Sequence, residues 1–285
     1  MARRAGELGA VMGYGDEIIG SGLARGAARR GKRIAFGDGK RIIWSRQASE
    51  IYLYNPNVAP PGSEHRATDL EWIEYYKGRR LYAHVEGGRW LFHDFQCKPG
   101  EIYFGADEIE RIAQWRWPLT EFKGRPVGPI IIEPNVKPHG ACAGANKQWP
   151  VDRYLSVASE LVNEGYWVAR MGPGGNSEHA ELRRIPTVSF REALMVMSQA
   201  QLYIGPEGGL HHAAAALGVP AVVIFGGFNT PRSTGYPWHV NITVGEPCGN
   251  TQACPHCIEA MKSIGIDRVL AAAHAQLATE RQKVM

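Results

Sequence analysis

Glu207, His211 and His212 stand beside a glycine turn in the stretch YIGPEGGLHHAAAALGVPAVVIFGG, Tyr203 to Gly227. Its residue types run as a short strand, a turn, a helix of small residues, a second turn and a second strand. Gly208 and Gly209 leave the amides at the helix start uncovered. Uncovered amides at the positive end of a helix favour a phosphate. The small side chains Ala213 to Ala216 let that helix lie close to a sheet. Glu207 would repel a phosphate, so it is expected to accept hydrogen bonds from hydroxyls or to cap the helix. His211 and His212 are adjacent and point in different directions, so one is expected to reach a ligand while the other packs.

Two other places hold chemistry-bearing residues. In MGYGDE, Gly13 and Gly15 allow a tight turn and Asp16 follows at a helix start. Asp16 there is either a helix cap or a reactive carboxylate. The spacing is neither a Walker A loop nor the full dinucleotide fingerprint, since position 18 is Ile. In CGNTQACPHC, the residues Cys248, Cys254, His256 and Cys257 are candidate metal ligands. Only Cys254 and Cys257 form a close pair, whereas structural zinc sites normally use two such pairs, so loop or buried thiols are the competing reading. No metal is therefore expected, with this cluster as the weaker alternative.

The elements that must carry these residues alternate. A turn-helix-strand unit opens the chain, with a helix predicted over Glu17–Arg30 ending at Gly31. An aromatic, proline-bearing middle reads as loops and short elements, with a helix over Gly105–Trp115. Glu121–Gly128 reads as a linker. Beyond it, strands in PIIIEPN, YWVARMG, QLYIGPEGG and PAVVIFGG alternate with helices over Pro150–Gly165, Arg191–Ala200 and from about Asp267. That order predicts an α/β fold with parallel sheets covered on both faces. Two such runs predict two Rossmann-like domains, 1–125 and 126–285, facing across a cleft. The last helix is a candidate to pack back on the N-terminal domain.

Composition narrows the classes. The chain has 285 residues, 44% hydrophobic and 21% charged, with a net charge of +4. That is ordinary globular composition, and its sequence pI near 8.8 falls short of a dedicated nucleic-acid binder. No apolar run is long enough to span a bilayer and no signal peptide opens the chain. Five cysteines fit free thiols in a reducing compartment. The expected location is the cytoplasm, with peripheral membrane contact compatible.

The GPEGGLHHAAAALGVPAVVIFGG segment resembles the donor-site motif of glycosyltransferase family 9, the ADP-heptose:lipopolysaccharide heptosyltransferases and their relatives. GYGDEIIGSGLARGAARRG, NKQWPVDRYLSVASELVNEG and CPHCIEAMKSIGIDRVLAA resemble three further family segments, in the family's order. The resemblance implies a GT-B fold whose C-terminal domain binds a nucleotide-sugar and whose N-terminal domain holds the acceptor. It implies inverting transfer with no cofactor and no bound metal, the nucleotide-diphosphate sugar being a co-substrate. Asp16 would be the general base, flanked on the acceptor side by Gly13 and Gly15. Lys147 would contact the donor diphosphate, and Glu178 would stand near the donor ribose. Gly208, Gly209 and Leu210 would present amides to the diphosphate, and His212 matches the family histidine. Two departures stand out: Glu207-Gly208 replaces the family's Asp-Thr/Ser, and His211 adds a second imidazole.

The expected partners are a nucleotide-sugar donor and a glycan or glycolipid acceptor such as lipopolysaccharide core. A modified nucleic-acid base is an alternative acceptor, because aromatic and basic residues in Glu71–Tyr82 and Gln114–Trp117 could stack on bases. A non-catalytic nucleotide-sugar-binding protein of the same fold is the alternative from another class; it would not need Asp16. A Rossmann oxidoreductase would require the missing third glycine.

Overall fold

A computed structural model describes residues 13–65, 67–74, 80–115, 120–122, 125–136, 143–172 and 182–283. Glu178, the MARRAGEL start and the apolar run before Gly13 lie outside the described residues.

The helix predicted over Glu17–Arg30 is two helices, α1 (Tyr14–Ser21) and α2 (Ala24–Ala28). The break falls at Gly22, which presses on another segment: a Cβ there would lie 2.6 Å from the carbonyl oxygen of Lys98. Strand β1 (Arg33–Phe36) pairs in parallel with β2 (Leu70–Ile73), and α3 (Arg46–Ile51) lies between them in sequence. Ile18, Ala27, Ile34, Phe36, Ile51 and Tyr52 form the core of this half.

The aromatic middle contains an antiparallel hairpin, β3 (Ala83–Glu86) and β4 (Arg89–Phe92), followed by α4 (Ala106–Gln114). Gly87 and Gly88 close the hairpin with φ of 55° and 73°. Two successive positive φ angles make a type I′ turn, whose twist matches that of the strands it joins. The stretch predicted as a linker holds a second antiparallel pair, β5 (Thr120–Phe122) and β6 (Arg125–Val127).

The rest of the chain builds one sheet of six parallel strands. They are β7 (Ile130–Ile132), β8 (Val168–Gly172), β9 (Arg183–Pro186), β10 (Leu202–Pro206), β11 (Ala221–Gly226) and β12 (Val240–Thr243). The spatial order is β12-β11-β10-β7-β8-β9. Numbered within this half, that is the doubly wound Rossmann order, with its switch point between β7 and β10. The strands are short and apolar because both faces are covered. Ile130 and Ile132 point to one side with Val157, Leu161 and Val269. Ile131 points to the other with Val196, Met197 and Ala214. Sequence reading missed β9, an edge strand whose two arginines break the apolar pattern.

Helix α5 (Val151–Asn163) follows the 3-10 turn Ala143–Lys147, while α6 (Phe190–Met197) and α7 (Gly209–Ala216) flank β10 in sequence. A short α8 (Pro231–Thr234), then α9 (Pro255–Ser263) and α10 (Ile266–Lys283) complete the chain. The last helix packs on α5 and on β10, β11 and β12, and its Val269, Ala273 and Leu277 join the core of this sheet. Among the described residues no helix is long and apolar enough to cross a membrane.

Candidate active site

A cleft of about 920 Å³ opens at the switch point of the large sheet, lined by both halves of the chain. Two helix N-termini meet there. Helix α1 packs directly on α7, and the contact is made at glycines. A Cβ on Gly15 would come within 3.0 Å of the His212 ring and 3.4 Å of the Gly209 nitrogen. The glycines of the two turns thus let the helix starts approach backbone to backbone. The positive ends of both helices face one cavity, an arrangement that favours a multiply charged anion.

Asp16 lines the cleft and is only 7% exposed. The N-cap of α1 is Gly13, and Asp16, three residues on, reaches back to it. Its Oδ2 accepts from the Gly13 N–H at 2.9 Å and its Oδ1 from the Tyr82 hydroxyl at 2.9 Å. Arg80 Nε lies 3.3 Å from Oδ1. Cap and cleft carboxylate, competing readings in the sequence, are one residue here. These contacts fix the orientation of the carboxylate in the cleft. Its neighbour Glu17 turns inward and accepts from Ser45 and Tyr52, each at 2.6 Å, which ties α1 to α3. Burial raises the Glu17 carboxyl above its ordinary value, against the pull of those two hydroxyls.

Lys147, Glu207 and His212 also line the cleft. Lys147 closes the 3-10 turn, and the fully buried Trp149 anchors the segment, its indole N–H donating to the Ile264 carbonyl at 3.0 Å. Lys147 forms an ion pair with Glu207, whose other oxygen lies 3.6 Å from His212 Nε2. His212 Nδ1 is 2.9 Å from the Tyr236 hydroxyl. Burial works against a charge on Glu207, but Lys147 and His212 outweigh it and hold the carboxyl well below the usual range. Gly208, Gly209 and Leu210 line the cleft at the start of α7. Nothing lies within 4 Å of a Cβ built on Gly208, so the side chain lost there leaves open room.

The two adjacent histidines keep their ring centroids 4.6 Å apart but differ in what they face. His212 lines the cleft, whereas His211 is fully buried among Phe225, Tyr236 and His239. Among the described residues, neither ring nitrogen of His211 has a hydrogen-bond partner. Of the donor-site residues named from sequence, Lys147, Glu207, Gly208, Gly209, Leu210 and His212 line the cleft and His211 does not, while Glu178 lies outside the described residues. Burial drives the pKa of His211 well below the ordinary 6.5, and the same cause lowers His239 to about 4. Below about 6.5 the unfolded chain takes up protons that the folded chain refuses, so stability falls as pH drops through that range. Replacing His211 by Phe removes two unpaired buried nitrogens. The variant is expected to be at least as stable as the parent at pH 7, by thermal melts, and to lose less stability between pH 6.5 and pH 5. Diphosphate affinity should not change; a loss of affinity would return His211 to the site.

Sequence reading offered the stretch with Arg80 and Tyr82 as a stacking surface but missed Trp90 and Phe92 of the same wall. The hairpin brings Tyr82, Trp90 and Phe92 into the cleft with Arg80. Arg80 lies 4.2 Å over the Trp90 ring, and Tyr82 and Trp90 are near parallel. Gly87-Gly88 between alternating residues was the signal that would have found it. Burial, with Asp16 and Glu207 nearby, holds the Tyr82 hydroxyl well above the usual tyrosine range, so it stays a donor to Asp16. On the floor, Glu133 follows β7 and Arg170 lies in β8. Burial pushes Glu133 up to about 7.

Among the described residues, two groups of side chains could hold a metal: Glu207, His211 and His212, and Cys248, Cys254, His256 and Cys257. The first is the weaker, because Lys147 already occupies Glu207.

The sequence profile of glycosyltransferase family 9 (heptosyltransferase) matches residues 84–265, more than half of the chain. Lipopolysaccharide heptosyltransferase 2 of Salmonella typhimurium is 29% identical over 105 residues, and that of Escherichia coli K12 is 30% identical over 105. Each match spans 30% of this chain and 30% of the relative's length. A crystal structure of a glycosyl transferase family 9 protein from Veillonella parvula superposes with a TM-score of 0.59 at 14% identity, covering 94% of this chain and 95% of that one. The fold is therefore shared over nearly the whole length, with the GT-B arrangement of two α/β halves about a cleft. The family match reaches Lys147, Glu207 and His212 but begins after Asp16. With its profile matched over most of the chain and the fold in agreement, this protein belongs to glycosyltransferase family 9.

Proposed function

We propose that the chain is an inverting glycosyltransferase that moves a sugar from a nucleotide-diphosphate sugar to an acceptor hydroxyl. The observation that supports this most is the junction of the two helix starts. It brings a carboxylate, Asp16, and a phosphate-favouring terminus with Lys147 to the lining of one cleft. In this reading the diphosphate lies across the amides of Gly209 and Leu210, with Lys147 turned to it. As the glycosidic oxygen leaves, charge grows on the diphosphate, and the amides and Lys147 stabilise it. Asp16 takes the proton of the acceptor hydroxyl as that oxygen attacks the anomeric carbon from the opposite face. Glu207 holds hydroxyls of the sugar or ribose, and His212 adds a hydrogen bond. Glu178 is proposed for the ribose from resemblance alone. No cofactor or metal is needed for these steps.

The lipopolysaccharide heptosyltransferase relatives support a heptose donor, ADP-heptose-like in this reading, and a lipopolysaccharide-core type of acceptor. The stacked hairpin wall of Tyr82 and Trp90, with Arg80, suits a sugar ring bearing a negative group. A panel of nucleotide-diphosphate sugars, offered with lipopolysaccharide-core oligosaccharides and read by mass spectrometry and anomeric NMR, tests the reading. The expected result is one added sugar with inverted anomeric configuration. Retained configuration would overturn the assigned roles.

A further inference from the structure

The four side chains Cys248, Cys254, His256 and Cys257 lie outside the mechanism, and the fold brings them to one point. Cys248 Sγ is 3.6 Å from Cys254 Sγ and 3.0 Å from Cys257 Sγ. His256 Nδ1 is 3.8 Å from Cys257 Sγ, and all four ligand atoms fall within 4.8 Å of one another. Cys254 is the N-cap of α9 and Pro255 opens the helix, so the first turn presents Cys254, His256 and Cys257 together. Cys248 comes from the loop after β12, held by its N–H on the Gly227 carbonyl at 3.0 Å. The absence of a side chain at Gly227 makes room, since a Cβ there would lie 2.9 Å from the His256 ring.

We propose that Cys248, Cys254, His256 and Cys257 bind one transition-metal ion of the thiolate-binding class, zinc or iron, as a structural clasp. A tetrahedral ion with metal–sulfur bonds of about 2.3 Å sets its sulfurs about 3.8 Å apart. The 3.6 Å pair meets that spacing, and the 3.0 Å pair has to open by about 0.8 Å to reach it. The same 3.0 Å is well beyond a disulfide bond of about 2.05 Å. Packing as small apolar groups accounts for one buried cysteine, but not for three that converge with an imidazole. Binding releases the thiol protons to solvent and leaves the imidazole neutral.

The clasp has something to hold. Asn146, next to Lys147, accepts from the Cys254 N–H at 2.9 Å and donates to the carbonyls of Asn250 and Gln252 at 2.9 and 2.7 Å. The same loop grips the hairpin: Trp90 N–H donates to the Gly249 carbonyl at 2.7 Å, and Thr251 Oγ1 to Gly88 at 2.7 Å. One ion would therefore fix the loop that joins the Lys147 turn to the Trp90 wall, without touching the reacting atoms.

The test is elemental analysis of the full chain, purified under reducing conditions without chelator. One ion per chain is expected, and its identity separates zinc from iron. Cobalt reconstitution should give the intense near-ultraviolet thiolate-to-metal bands and the visible bands of a tetrahedral ion. Cys257→Ser should lose both. His256 is exposed, so His256→Ala spares the core; its metal should be stripped by a chelator faster than the parent's. A folded chain that holds no zinc or iron as isolated and gives no cobalt bands overturns the proposal. So does a Cys248–Cys257 disulfide in the peptide map of chain kept under reducing conditions.

Discussion

Asp16→Asn is expected to lower kcat by about 10²–10⁴-fold, the contribution of a positioned general base, with nucleoside-diphosphate affinity unchanged within a few-fold. The substitution keeps an oxygen that can accept from the Gly13 N–H or the Tyr82 hydroxyl, both 2.9 Å from the carboxylate in the parent. Asp16→Ala removes the cap as well, so it should lose transfer to the same degree and also about 1 kcal/mol of stability, the usual scale of a helix cap. Comparing the two by kinetics, calorimetry and thermal melts separates the base from the cap. Loss of diphosphate binding in Asp16→Asn would make the residue structural and remove it from the chemistry.

Lys147→Ala has two expected consequences, because Lys147 answers to two anions. The first is affinity. Removing a charged hydrogen bond to the diphosphate should weaken binding by about 10–100-fold, and much less for the nucleoside. The second is stability. Glu207 is 6% exposed and its charge is held by Lys147. Stripping one partner from a buried pair costs about 3–5 kcal/mol, and the partial exposure of Lys147 puts this pair at the low end. Adding Glu207→Gln should restore stability and leave diphosphate binding weak, so the double variant parts the two effects. The parent's pH dependence follows from the same pair. The Glu207 carboxyl sits below its ordinary 4.5 in the folded chain, so its stabilisation is complete above that value. It is lost as the pH falls toward the depressed folded value. Equal loss of diphosphate and nucleoside binding in Lys147→Ala would take Lys147 off the phosphates.

Much of the site was legible because glycine spacing and strand-turn-helix order are local signals. Gly13, Gly15 and Asp16 on one turn, and Glu207, Gly208 and Gly209 on another, could be placed at helix starts from sequence. Lys147 came from resemblance, since nothing local marks a lysine on a 3-10 turn. What failed to show was long-range. Adjacency told that only one of His211 and His212 lines the cleft, but which one depends on α1 packing against α7 and on the pocket of Phe225, Tyr236 and His239, and the two rings stay 4.6 Å apart. The Lys147–Glu207 pair spans 60 residues. The short N-terminal helices read as one in sequence, and the break falls at Gly22, which packs against the Lys98 carbonyl. The converging cysteines, spaced unlike a zinc knuckle, needed the fold to bring Cys248 back onto α9.

The most direct measurement is calorimetric titration of the chain with ADP, UDP, GDP, CDP and dTDP, with and without a chelator. The account expects one diphosphate to bind clearly better than the others and better than its own nucleoside. That affinity should survive the chelator and fall in Lys147→Ala. No binding by any of the five would contradict a nucleotide-sugar site at the junction of the two helix starts, and would leave the chain with the family's fold but not its chemistry.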